Sequence, residues 1–156
     1  MPKAMNNTNL WIIVTVIGLI FTLISERAGK KAGRLVFKMI ASTGFLGVAL
    51  SCGALSTRYG QFILAGLVLS WWGDLFLVGA TPFIFQAGLV SFLSAHVAYV
   101  GAFIAAGLNA TAIGVTFIGV ALVGALVFRW LNPHLTSDMR YPVYAYIAVI
   151  STMVIM

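Results

Sequence analysis

The sequence predicts an all-α protein, a polytopic transmembrane helical bundle of about six helices forming one integral membrane domain over 1–156. Three observations carry that expectation. Of the 156 residues, 62% are hydrophobic and only 8% charged, whereas ordinary soluble domains run to about 45–50% apolar and about 25% charged. The apolar residues fall in runs that approach the roughly 17–25 residues needed to cross a hydrocarbon core. The few charges gather between those runs.

The first run, 10–25, has only Lys3 ahead of it and no small-residue cleavage pattern behind it, so it reads as a membrane helix and not a signal peptide. Further runs follow at 35–52, 61–79, 82–106, 110–130 and 141–156. The breaks between them are short and carry glycine, proline and polar residues: 26–34 with two glycines, 56–60, 79–82, 108–111, and 132–140 with Pro133. Such short links make neighbouring helices antiparallel. The last run would be only about 24 Å long as a helix, against a hydrocarbon core of roughly 30 Å, so it reads as unfinished. A transmembrane barrel is excluded, because stretches such as 62–70 lack the alternation its strands require. Gly44 with Gly47, and Gly114, Gly119 and Gly124, are expected where helices approach closely.

The formal charge is +6. Its placement reads as topology: Arg27, Lys30, Lys31, Arg34 and Lys38 crowd the first break, Arg129 and Arg140 fall on the same side, and only Lys3 and Arg58 lie opposite. The positive-inside rule then puts the N-terminus outside the cytoplasm. No basic face interleaved with aromatics stands outside the apolar runs, so nucleic acid is not an expected partner. The single cysteine, Cys52, excludes an internal disulfide and is expected to be a small packing residue. Two histidines without an HExxH or cysteine cluster supply no metal site, and neither a GxSxG elbow nor a phosphate-cradling glycine loop is present. No cofactor is expected.

Charged groups inside lipid are expensive and tend to face a cavity or a partner. Two qualify, Asp74 in the third run and Lys38 in the second. Counted from the predicted end of its run, Asp74 lies about 7–8 Å deep on the cytoplasmic side. Ser70, four residues earlier, shares its helix face, with Trp71 and Trp72 on either flank. Gln86 is matched in depth to Lys38 and Asp74, and Tyr141 and Tyr144 enter from the same side. His96 and Tyr99 share a face of the fourth helix, but His96 lies about 12 Å from Asp74 along the normal, so no direct pair is expected. Lys38 either snorkels to headgroups or serves a site, where its charge and depth would let it hold a lipid phosphate at the cytoplasmic surface. His96 is either an interhelical hydrogen-bonding residue or a functional one.

Particular words stand out: Phe37-Lys38 opening the second helix, Gly73-Asp74-Leu75-Phe76-Leu77 closing the third, and Phe85-Gln86-Ala87-Gly88-Leu89 followed by Phe92-Leu93-Ser94-Ala95-His96-Val97-Ala98-Tyr99 in the fourth. With Tyr141-Pro142-Val143-Tyr144 at the start of the sixth, their order resembles the YhhN-like lysoplasmalogenase family, over roughly 37–150. The resemblance implies a polytopic enzyme, usually of eight helices, that hydrolyses the vinyl ether bond of a lysophospholipid to a fatty aldehyde and a glycerophospho-headgroup. It places such a chain in a membrane, with the bacterial inner (plasma) membrane as the expected location and membrane lipid as its surroundings. Members commonly carry Lys-Pro where Lys38 is followed here by Met39, and tend to carry a further acidic residue in a later helix.

Vinyl ether hydrolysis needs a proton donor for the β-carbon and an anion or base for the oxocarbenium centre and the water that captures it, the paired-carboxylate logic of glycosidases. Asp74 and His96 are the expected catalytic residues, with Lys38, Gln86, Tyr99 and Tyr141 for substrate binding. Two alternatives stand beside this: a small transporter or channel using Asp74 and His96 as a relay, and a structural membrane subunit without chemistry of its own.

Overall fold

The computed structural model describes residues 2–78, 81–135 and 137–156. Six α-helices account for most of them: α1 Pro2–Arg27, α2 Lys31–Ser51, α3 Arg58–Phe76, α4 Pro82–Ala106, α5 Ala110–Leu131 and α6 Ser137–Ile155, with single 3₁₀ turns at Ala54–Ser56 and Asn132–His134. No strand occurs among the described residues.

Local chemistry sets the boundaries. At the end of α1, Lys30 N–H donates to Ser25 O and Gly29 N–H to Glu26 O, the paired bonds of a Schellman cap. This cap needs a left-handed residue, which Gly29 supplies at φ +65°. The break between α1 and α2 is therefore tighter than the sequence suggested, and Arg34 lies inside α2. Thr57 caps α3 by accepting from Gly60 N–H at 3.0 Å, and Thr81 caps α4, where Pro82 occupies the first turn. α3 ends at Phe76, three residues short of its predicted run. Residues 79 and 80 of the break that follows lie outside the described residues.

The interior shows what solvent the chain is built for. Every buried position among the described residues is glycine, alanine, serine or threonine, while Leu, Ile, Val and Phe side chains stand exposed along the helices. A water-soluble core has the opposite composition. Small residues inside and large apolar residues outside are what helix association in lipid produces, because close backbone approach replaces the hydrophobic effect. Gly44 sits against Thr15 and Gly47 against the Trp11 ring where α2 meets α1, as expected of those glycines. Gly66 and Gly73 do the same for α3 against Tyr99 and Phe92 of α4. Ser91 Oγ donates to Leu69 O at 2.6 Å across that interface.

Helices α1 to α4 pack on one another in chain order; α6 then lies against α4, and α5 packs on α6. No described residue of α5 is buried. A Cβ on Gly114, Gly119 or Gly124 would accordingly meet no atom beyond its own helix within 4 Å, which corrects the expectation that they mark close contacts. Cys52 is also corrected: it is exposed at the C-cap of α2 and fills no core position. Among the described residues four helices are long and apolar enough to cross a membrane: α1, α2, α4 and the span Ile113–His134, which takes in most of α5 and the turn after it. α3 and α6 fall short by that measure, α3 because Arg58, Gln61 and Asp74 dilute its apolar run and α6 because its apolar part is shorter.

Candidate functional site

The site forms where the last turn of α3 meets α2. Because α3 stops at Phe76, Asp74 is only two residues from the helix end, about 3 Å at the helical rise, and so shallower than its predicted depth. Lys38, two turns into the antiparallel α2, reaches it: Nζ lies 2.9 Å from Asp74 Oδ1. Ser42, one further turn along the same face of α2, donates its hydroxyl to Asp74 Oδ2. Both carboxylate oxygens are thus held, one by a cation and one by a hydroxyl. The Asp74 side chain is 17% exposed and that of Lys38 is 38%. Lys38 is therefore tied to a partner and is not merely snorkelling to a headgroup.

Beyond the pair, an open cavity of about 240 Å³ runs between α2 and α3, with Asp74, Ser42 and Ser70 on its polar side and Phe45, Leu67 and Trp71 supplying apolar wall. Trp71 is fixed by its indole N–H, which donates to Thr43 Oγ1 at 3.1 Å, and by an edge-on contact with Trp72. Ser70 Oγ and the Tyr99 hydroxyl lie 3.4 Å apart. Gly66 makes room for the Tyr99 ring, since any side chain there would occupy its place.

His96 lies apart from the carboxylate. Its Nδ1 is 2.6 Å from Phe92 O, and its ring meets Tyr99 and, on α6, Tyr146 edge to face at centroid distances of 6.1 and 5.4 Å. Gly73 packing on Phe92 and Gly66 on Tyr99 puts His96 roughly 7 Å along the axis from Asp74. That is nearer than the sequence count, but the two side chains form no hydrogen bond. Gln86 and Tyr141 are not brought to the cluster. Gln86 is exposed, two residues and so about 200° around α4 from Gly88, which faces Leu77 of α3. Tyr141 is 83% exposed near the start of α6. Tyr144 turns instead to its own neighbourhood and donates to Asn132 Oδ1 at 2.6 Å.

Ser42 is the residue that sequence reading missed. Its only signal was its position four residues after Lys38, on one helix face.

The family model for the YhhN family matches residues 33–156, from the first turn of α2 onward. The chain belongs to the YhhN family. The matched span holds Lys38, Ser42, Asp74, His96 and Tyr99, so the whole α2–α3 cluster of this YhhN-family membrane protein falls inside it. No solved structure matches the chain.

Proposed function

We propose that the protein hydrolyses the vinyl ether bond of a lysoplasmalogen, releasing a fatty aldehyde and a glycerophospho-headgroup. The observation that carries this reading is the Asp74 carboxylate, gripped by Lys38 and Ser42 on the wall of a cavity that Phe45, Leu67 and Trp71 also line. Membership of the YhhN family makes a lysoplasmalogenase-type membrane enzyme the natural chemistry to place there.

In that reaction a proton drawn from solvent, and made good when the attacking water gives one up, adds to the β-carbon of the vinyl ether, and positive charge develops on the adjoining O–C unit. Water adds to that carbon, and the hemiacetal collapses to an aldehyde and the glycerol hydroxyl. A fixed carboxylate beside the developing cation stabilises it without reorganising at the moment of reaction. Asp74 is suited to that part because a cation and a hydroxyl hold its two oxygens in place, and the lone pairs they leave over are assigned the proton of the attacking water. Among the described residues no second carboxyl group lines this cavity, so Asp74 is assigned the anion's role and not that of the acid. Ser70, on the cavity wall and within 3.4 Å of the Tyr99 hydroxyl, is assigned with Tyr99 to orienting the water, and His96, whose ring rests against that of Tyr99, to positioning Tyr99.

The single alkenyl chain of such a substrate would lie among the exposed apolar residues along the helices, with its polar end at the helix termini. We place that end at the cytoplasmic face of a bacterial inner membrane, because the Arg27–Lys38 stretch lies there under the positive-inside rule. The relay alternative would need a hydrogen-bonded link from Asp74 to His96, and the described residues form none.

The test is aldehyde release by the purified protein from three lysophospholipids of equal chain length, joined by vinyl ether, saturated ether and ester bonds. Aldehyde from the vinyl ether alone is expected. No aldehyde from it, or products from the other two at comparable rates, would remove this reading.

A further inference from the structure

A second cavity, of about 320 Å³, opens on the other side of the Lys38–Asp74 pair, between the end of α1, the start of α2 and the end of α3. Its polar wall is Thr22, Glu26, Arg34 and Lys38, and Leu35 and Leu77 supply apolar wall. Lys38 therefore faces two ways: its ammonium holds Asp74 in the first cavity and lines the second.

The donors here are mostly unspent. Arg34 uses a single nitrogen, Nη1, which lies 2.9 Å from both Glu26 oxygens. A guanidinium carries five N–H donors and an ammonium three, and beyond the bonds to Glu26 and Asp74 these two groups make no others among the described residues. Arg34 and Lys38 are four residues apart on α2, which puts their Cβ atoms about 5–6 Å apart on one face. Two cations so spaced suit one tetrahedral oxyanion, and the planar guanidinium matches two of its oxygens at once. Glu26 fixes Arg34 through Nη1 and leaves its other nitrogens open.

We infer that this cavity is a phosphate site, in which Arg34 and the free donors of Lys38 bind the phosphate of a lysophospholipid headgroup. The inference rests on the proposed lipid reaction only for the source of that phosphate. The cavity adjoins the carboxylate through Lys38 itself, so a lipid held here by its phosphate would extend its glycerol towards Asp74. The apolar wall at Leu35 and Leu77 favours a lipid over a free ion, and the surrounding excess of Lys and Arg draws anionic groups to this end of the bundle.

Binding separates this from turnover. The full-length protein in detergent is titrated with a saturated-ether lysophospholipid, and with the alkylglycerol of the same chain that lacks the phosphate, both read by tryptophan fluorescence. Inorganic phosphate is followed separately by the broadening of its phosphorus NMR line. Wild type is expected to prefer the phospholipid by at least about tenfold, the value of one charge-assisted hydrogen bond. Arg34→Gln should remove most of that preference and Arg34→Lys should keep part of it. Glu26→Gln, which breaks the same ion pair but leaves the cation, should keep or raise the preference. If Glu26→Gln loses the preference as Arg34→Gln does, the pair is structural and the proposal falls. Equal binding of both ether lipids by wild type, with Arg34-dependent broadening of inorganic phosphate, keeps the anion site and makes a free phosphate its occupant. Equal binding without broadening overturns the site, whatever the hydrolysis assay reports.

Discussion

Lys38 Nζ and Asp74 Oδ1 lie 2.9 Å apart, joining the second turn of α2 to the last turn of α3. The pair is neither fully exposed nor fully buried, and that decides what breaking it does. Fully exposed pairs contribute about 0–1 kcal/mol, whereas removing one partner of a buried pair costs about 3–5 kcal/mol. Lys38→Met, which leaves Asp74 with Ser42 alone, should therefore destabilise the helix pair by about 1–3 kcal/mol and abolish turnover, read by thermal unfolding in detergent and by aldehyde release. Lys38→Arg should recover most of the stability, since it restores a cation to the same face. A Lys38→Met protein as stable and active as wild type would show that the ion pair has no part in either.

Ser42→Ala removes the hydroxyl from Asp74 Oδ2 while leaving the ion pair. A hydrogen bond to a charged group contributes about 1.5–3 kcal/mol, so kcat should fall roughly 10- to 100-fold if that bond orients the carboxylate in the transition state. KM should change little, because Ser42 is not in the phosphate cavity. Ser42→Thr keeps the hydroxyl and should restore most of the rate. Equal loss in Ser42→Ala and Ser42→Thr would point to packing and away from the hydroxyl.

The glycines divide into two kinds, and substitution should separate them. A Cβ on Gly73 would come within 2.7 Å of the Phe92 ring. Gly73→Ala should therefore push α4 from α3 beside Asp74, costing about 1–3 kcal/mol as overpacking does. Gly114→Ala meets open space and should be neutral or stabilising by up to about 1 kcal/mol through helix propensity alone. Thermal unfolding of the two variants side by side reads the contrast. A Gly73→Ala protein no less stable than Gly114→Ala would contradict the α3–α4 interface.

The positive-inside argument makes a separate prediction about topology. A reporter inserted in the turn between α1 and α2, beside Gly29, should report a cytoplasmic location, because that turn and the start of α2 carry Lys30, Lys31 and Arg34. An external signal would reverse the bundle and place the Asp74 site at the opposite face.

The six helices were legible because apolar runs and their breaks follow directly from composition along the chain. α4 coincides with its predicted run, since Thr81 and Pro82 open it and Gly107, at φ +97°, closes it. The end of α3 was not legible: Leu77 and Val78 are as apolar as any helix interior, yet they turn. The site was half legible for a geometric reason. Counting residues from a helix end gives depth, and depth matched Lys38 with Asp74. It says nothing about direction around the helix, so Gln86 and Tyr141 shared the depth without reaching the cluster. Ser42 was hidden among other small polar residues because only the actual approach of α2 to α3 distinguishes it. The α5 glycines look like contact positions for a similar reason, but Gly119 and Gly124 face α6 across an open cavity, so a Cβ there would meet nothing within 4 Å.

The central claim is that the Asp74 carboxylate carries the hydrolysis of a vinyl ether lipid. The most direct measurement is the initial rate of fatty aldehyde release from lysoplasmalogen by wild type and by Asp74→Asn, each first shown to unfold at a comparable temperature. Wild type should show measurable release and Asp74→Asn a loss of about 100- to 1,000-fold, since the amide keeps the shape but not the negative charge. Release by Asp74→Asn within a few-fold of wild type would contradict it.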